Sequence, residues 1–95
     1  MKAPCVYMLA SGYLGTLYIG VTSDLIRRVW QHKNSEIDGF TRRYHVHSVV
    51  WYEQHVDMRE AIQREKAIKD WKRAWKVRLI EAANPLWRDL ALDLA

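Results

Sequence analysis

Tyr7, Tyr18, Arg28, His32 and Glu65 are the side chains whose types suit proton transfer and phosphate chemistry. Imidazole gives and takes a proton near neutral pH, and a phenol does so when its surroundings help. A guanidinium fork fits phosphate oxygens, and a carboxylate can hold a divalent cation. The five are scattered along the chain, so the elements between them decide whether they can meet.

Residues 4–9 (PCVYML) and 16–22 (TLYIGVT) are short and rich in aromatic and β-branched types, with SGYLG between them. They read as a hairpin. A turn centred between Gly12 and Tyr13 sets Tyr7 opposite Tyr18, with Gly20 on the same side leaving space there. Two hydroxyls beside an open patch suit a ligand. On the hairpin alone the preferred reading is an aromatic contact that only stabilises the hairpin.

Thr22-Ser23-Asp24 then supplies a helix cap, and Leu25, Ile26, Val29 and Trp30 form the stripe of an amphipathic helix ending near Lys33-Asn34. Arg28 and His32, four apart, are neighbours near Leu25 at the stripe's edge. They can reach over the sheet, or be a surface arginine with an incidental histidine. Arg27 reads as solvated.

Residues 35–45 are polar, contain a glycine and predict a loop carrying Arg42 and Arg43. Residues 46–53 (VHSVVWYE) predict a third strand covered on both faces. Asp57 with Glu60 has the form of a capping box, and a helical region runs from there toward Ala83. Asn84-Pro85 interrupts it, and residues 86–92 predict a last short helix. The order β-β-α-β-α-α gives an α+β fold, a small three-stranded, largely antiparallel sheet flanked by helices. At 95 residues it is one domain spanning 1–95.

Glu65 is the anomaly of the long helical region. At about 100° per residue from Met58, Ala61 and Ile62 fall at roughly 300° and 40°, with Glu65 at roughly 340° between them. A carboxylate inside an apolar stripe is costly unless compensated. Lys69, Lys72 and Lys76 fall on its side, while Ile68, Trp71, Trp75 and Leu79 drift away, which predicts a break near residues 70–73. From Arg64 to Arg78 there are seven Lys/Arg against two acids. A Glu65–Lys69 ion pair explains the lysine better than the glutamate's position. A divalent ion on Glu65, with the lysines meeting phosphates, explains both.

Composition sets the frame. Nearly half the residues are apolar and 27% are charged, the balance of a soluble globular domain. Net charge is +4, a modest bias toward polyanions. The five tryptophans allow a small core to bury much apolar area. A single cysteine, Cys5, permits no internal disulfide and favours a reducing compartment, so a cytoplasmic location is expected. Neither a signal peptide nor a bilayer-spanning stretch is present, so no membrane partner is expected.

Taken in order, these residues resemble the GIY-YIG nucleases, in particular the small stand-alone members. The two signature motifs stand as Cys5-Val6-Tyr7 and Tyr18-Ile19-Gly20. Arg28 follows ten residues after the second tyrosine, His32 four later, and Glu65 lies in REKAIKDW. The tail LIEAANPLWRDL is similar to that of the small members, so the resemblance covers nearly the whole chain. Cys5 replaces the first glycine of the signature, and Val21 stands where some repair members carry lysine. Asn84 corresponds loosely to a structural asparagine.

The resemblance implies hydrolysis of phosphodiester bonds, in DNA rather than RNA, with one divalent ion, Mg²⁺ or Mn²⁺. It implies Tyr7 as proton acceptor, Tyr18 and His32 as orienting groups, Arg28 as stabiliser of the phosphorus centre and Glu65 as metal ligand, all around one shared pocket. Arg42, Arg43, Lys69, Lys72 and Lys76 would touch the nucleic-acid backbone. Weak sequence preference, or targeting by a protein partner or homo-oligomer, follows from the small size. Rival readings are a non-catalytic nucleic-acid-binding module, a DNA-repair or recombination accessory protein, and a structural domain docking an acidic partner.

Overall fold

A computed structural model describes residues 2–34 and 39–94. Strand β1 (Cys5–Ala10) lies at the centre of a three-stranded sheet, with β2 (Leu17–Thr22) on one side and β3 (Ser48–Gln54) on the other. Both pairings are antiparallel. All six residues of β1 are buried, because it has a strand at each edge and helices over each face. A bulge on β3 lets Val49 face one side of the sheet while Val50 and Trp51 both pack on the other.

The hairpin register differs from the expected one by two residues. Tyr7 lies opposite Gly20, and Tyr18 lies opposite Leu9. The turn is centred between Tyr13 and Leu14, where Gly15 N–H donates to Gly12 O, and Leu14 takes the left-handed conformation (φ 56°). Ser11 Oγ accepts from Thr16 N–H, and Arg73 Nη2 clamps the Leu14 and Gly15 carbonyls at 2.7 Å each. These contacts centre the loop one residue later than glycine placement alone suggests. A two-residue slip keeps every side chain on its face. Tyr7, Tyr18 and Gly20 therefore still share a side.

The two faces carry different helices. One is covered by α1 (Leu25–Lys33) through Leu25 and Val29, and by a closing 3-10 turn (Leu90–Asp93). The other is covered by α3 (Met58–Lys69) and α4 (Arg73–Ala83), with Ala61, Ile68, Ile80 and Trp87 against Val6, Met8 and Ile19. Burying each such Ile, Leu or Met contributes about 1.5–3 kcal/mol relative to exposure. The tryptophans contribute less than expected: Trp51 and Trp87 are buried, but Trp30 and Trp75 are about half exposed.

Local signals mostly hold. Asp24 caps α1 by accepting from Arg27 N–H, and Asp57 caps α3 by accepting from Glu60 N–H at 2.9 Å. The helical region breaks between Lys69 and Arg73 as its drifting stripe requires. Buried Asn84 ends α4: its Nδ2 donates to Val50 O and Arg88 O, and its Oδ1 accepts from Arg88 N–H. That bonding gives it a structural role.

Two segments depart from expectation. The region read as loop contains a short helix, α2 (Gly39–Arg43), too brief to leave a periodicity; residues 35–38 of it lie outside the described residues. The last helix reduces to the 3-10 turn, held by Asp89. Its Oδ1 accepts from Val49 N–H and Ala91 N–H, and its Oδ2 pairs with Lys33 Nζ at 2.6 Å.

Candidate active site

The site is organised by a glycine that makes room for a phenol. A Cβ on Gly20 would lie 2.5 Å from both Tyr7 Oη and Tyr7 Cζ. The patch beside Gly20 is therefore filled by the Tyr7 ring and is not open to a ligand, as the sequence had suggested. Lying across β2, the phenol reaches α1, and its Oη sits 3.0 Å from His32 Nε2. His32 Nδ1 lies 3.2 Å from Thr41 Oγ1 on α2. All three residues are fully buried.

These groups form a hydrogen-bonded chain whose direction follows the His32 tautomer. When Tyr7 donates to Nε2, the other ring nitrogen carries the hydrogen and donates to Thr41. When Thr41 donates to Nδ1, Nε2–H donates to Tyr7.

Tyr18 is the half-buried member of the set, its ring centroid 5.2 Å from that of His32 and 6.3 Å from that of Tyr7. Tyr7 has no exposed surface, so Tyr18 is the phenol nearer to solvent. Phe40 of α2 follows at 6.1 Å from Tyr18. The structure thus brings Tyr7, Tyr18 and His32 together and adds Thr41 and Phe40. Sequence reading missed both because they sit in a polar stretch; an isolated aromatic there was the available hint.

Arg28 is half-buried on the same helix, one turn before His32. It lines an open cleft of about 640 Å³ together with Lys2, Thr22, Asp24, Arg27 and Gln31. Arg27, read as solvated, is exposed and shares this cleft. Asp24 is committed to the α1 cap, which leaves the lining cationic in balance. Tyr7, Tyr18 and Glu65 do not line it.

Glu65 is carried by α3. Ala61, four residues before it, and Ile68, three after, are buried against the face opposite Tyr7. Its side chain is 12% exposed, and its carboxylate pairs with Lys69 Nζ at 2.9 Å. The expected burial is present, on a helix whose core residues pack on the sheet face opposite the one that Tyr7 and Tyr18 occupy. Helical angle tells which way a residue faces on its helix, not which face of a sheet that helix covers.

The backbone-contact candidates separate in the same way. Arg42 and Arg43 are exposed on α2 beside the tyrosines, with Arg43 over the Tyr44 ring. Lys69, Lys72 and Lys76 belong to the α3–α4 side. Lys76 Nζ donates to Lys69 O, and Lys72 lies near the Trp75 ring. The helix break falls between Lys69 and Lys76, and the Lys76 bond spans it.

Among the described residues no group of three or more His, Cys, Asp or Glu could hold a metal. Glu65 offers one carboxylate. That donor set fits Mg²⁺, which keeps several waters and is commonly bound by one or two carboxylates plus substrate phosphates. It does not fit a metal that needs a protein cage.

Comparison with known proteins follows the same lines. The GIY-YIG catalytic domain matches residues 3–78. A UPF0213 protein of Bacillus pumilus is 34% identical over 67 residues, covering 70% of this chain and 68% of its own length. The UPF0213 protein DP2720 of Desulfotalea psychrophila is 38% identical over 72 residues, covering 74% of this chain and 64% of its own. A UPF0213 protein of Staphylococcus epidermidis is 31% identical over 67 residues, covering 70% and 82%. No solved structure matches significantly. Nucleases of the family generally use divalent metals. Among the described residues no helix is long and apolar enough to cross a membrane. The chain belongs to the GIY-YIG family, a nuclease superfamily whose substrates are nucleic acids.

Proposed function

We propose that the chain is a metal-dependent endonuclease that hydrolyses DNA phosphodiester bonds. The observation that carries this reading is the Tyr7–His32–Thr41 hydrogen-bonded chain, admitted by Gly20 and placed behind the half-exposed Tyr18. In this mechanism Tyr18 orients the attacking water. The water's proton passes inward to Tyr7, whose own proton His32 can hold. Arg28 stabilises the charge that develops on the phosphorus oxygens.

Because β2 is an edge strand, no further strand separates the α1 side from the α3 side at its rim. A phosphate seated there would lie between Arg28 and Glu65. Glu65 would hold a divalent ion with water and phosphate oxygens, supplying Lewis-acid stabilisation of the departing 3′ oxygen. Arg42, Arg43, Lys69, Lys72 and Lys76 position the duplex or strand without reading its sequence.

The Glu65–Lys69 ion pair, which already engages the carboxylate a metal would need, favours a second reading, a nucleic-acid-binding module without turnover. One assay separates the two: plasmid, flapped and branched DNA incubated with Mn²⁺ or Mg²⁺ against EDTA. The nuclease reading expects metal-dependent cuts, reduced on the order of 10²–10³-fold by Arg28→Ala and by Glu65→Gln with circular dichroism unchanged. Binding without cleavage by the wild type supports the module. Full activity in either variant removes that residue's role.

A further inference from the structure

The aromatic contacts that begin in the buried hydrogen-bonded chain continue outward to the surface. From Tyr18 the next ring is Phe40 at 6.1 Å, and from Phe40 the next is Tyr44 at 4.8 Å. Phe40 and Tyr44 are 40% and 44% exposed. Two large rings left this open on and just beyond a five-residue helix add little to the core. Their neighbours Arg42 and Arg43 are exposed cations, with Arg43 Cζ 5.6 Å from the Tyr44 ring centroid. Exposed rings interleaved with arginines, contiguous with a phosphate-handling site, are the composition of a surface that stacks bases and neutralises their phosphates.

We infer that Phe40 and Tyr44 form a stacking platform for an unpaired base of the substrate, next to Tyr18. This rests on the nucleic-acid reading above. A base inside a duplex has both faces occupied by its neighbours and offers nothing to such a platform, so the platform favours a strand that is single, flapped or frayed at the cut. Arg42 and Arg43 hold the adjoining phosphates. The rings confer this preference at the point of cleavage without reading base identity, because every base has a π-face.

The test uses fluorescence anisotropy in EDTA, where binding is read without turnover. The probes are an oligothymidylate, a flapped duplex and a blunt duplex, at one salt concentration, with polyglutamate as competitor. Wild-type protein is expected to bind the oligothymidylate and flap more tightly than the blunt duplex. The Phe40→Leu/Tyr44→Leu double variant, which keeps apolar bulk without a π-face, should lose roughly 5- to 150-fold on those two probes and less than about 2-fold on the blunt duplex. The Phe40→Tyr/Tyr44→Phe pair should bind as wild type does. Equal loss on all probes, no loss on any, or a wild-type preference for polyglutamate overturns the inference. Cleavage of the same flap by wild type with Mn²⁺ reports separately on the nuclease reading, so either can fail while the other stands.

Discussion

Replacing Gly20 by alanine tests the packing that builds the Tyr7–His32–Thr41 hydrogen-bonded chain. The glycine has no positive φ, so the backbone accepts alanine without strain. Alanine's smaller unfolded-state entropy would by itself stabilise by about 0.4–1 kcal/mol. Against this, the new methyl would lie 2.5 Å from Tyr7 Oη and Cζ and 2.9 Å from Cε1. Carbon contacts settle near 3.5 Å, so the ring must withdraw by about 1 Å. Tyr7 is fully buried and has no open direction to take. Overpacking of this kind costs about 1–3 kcal/mol. The withdrawal also stretches the 3.0 Å bond to His32 beyond hydrogen-bond reach, for about 1 kcal/mol more. The net expectation is destabilisation by roughly 1–4 kcal/mol, or a fall in melting temperature of roughly 4–30 °C for a domain of this size. Thermal and urea unfolding followed by circular dichroism measure it. Tyr7→Phe removes one of the two closest atoms, so alanine at position 20 should cost less in that background, with a coupling above about 0.5 kcal/mol. A melting temperature within about 2 °C of wild type, or strict additivity of the two changes, refutes the reasoning.

Other expectations are simpler to check. Burial alone would raise the Asp89 carboxyl, but the Lys33 hydrogen bond, the Ala91 and Val49 N–H groups and the Lys33 charge together hold it below the ordinary carboxylate range. A lowered folded-state value means that its contribution is complete above about pH 4 and is lost as pH falls through that lowered value. In urea unfolding across pH, Asp89→Asn should therefore cost no more than about 1 kcal/mol at neutral pH and progressively less in acid, since the pair is partly solvated; a pH-independent difference contradicts this. Burial pushes the Cys5 thiol above its usual range. Native protein should consequently react with a thiol reagent only at the rate of unfolding, and rapid labelling without unfolding would show the strand end to be open. Loss of metal-dependent cleavage in Arg28→Ala and Glu65→Gln, and selective loss of single-strand binding without Phe40 and Tyr44, complete the set.

What could be read from the chain was mostly local. Period-two and period-3.6 patterns placed the strands and helices, Asp24 and Asp57 marked helix starts, and the drifting stripe located the break after Lys69. The sharing of one sheet side by Tyr7, Tyr18 and Gly20 was legible because alternation fixes faces even when register slips by two. The register itself was not legible, and one contact at the turn comes from Arg73, 58 residues from Gly15. His32 was legible as a candidate, but its bond to Thr41 was not, since α2 is too short to betray itself. Glu65 was correctly marked as a carboxylate in an apolar stripe. Which face of the sheet its helix covers was illegible, because nothing in helical periodicity says that α1 and α3 lie on opposite faces.

The Asp89 latch affects how this domain can be cut and joined. The family match ends at residue 78, yet Ile80 and Trp87 complete one apolar layer, and Leu90, Ala91 and Leu94 help to close the other. A fragment trimmed at the match boundary would bare both sides of the sheet and free the Val49 amide from its carboxylate. Fusions and minimal versions therefore have to carry the chain through Leu94, and a cargo inserted between α4 and the latch would unseat the layer that backs the tyrosines.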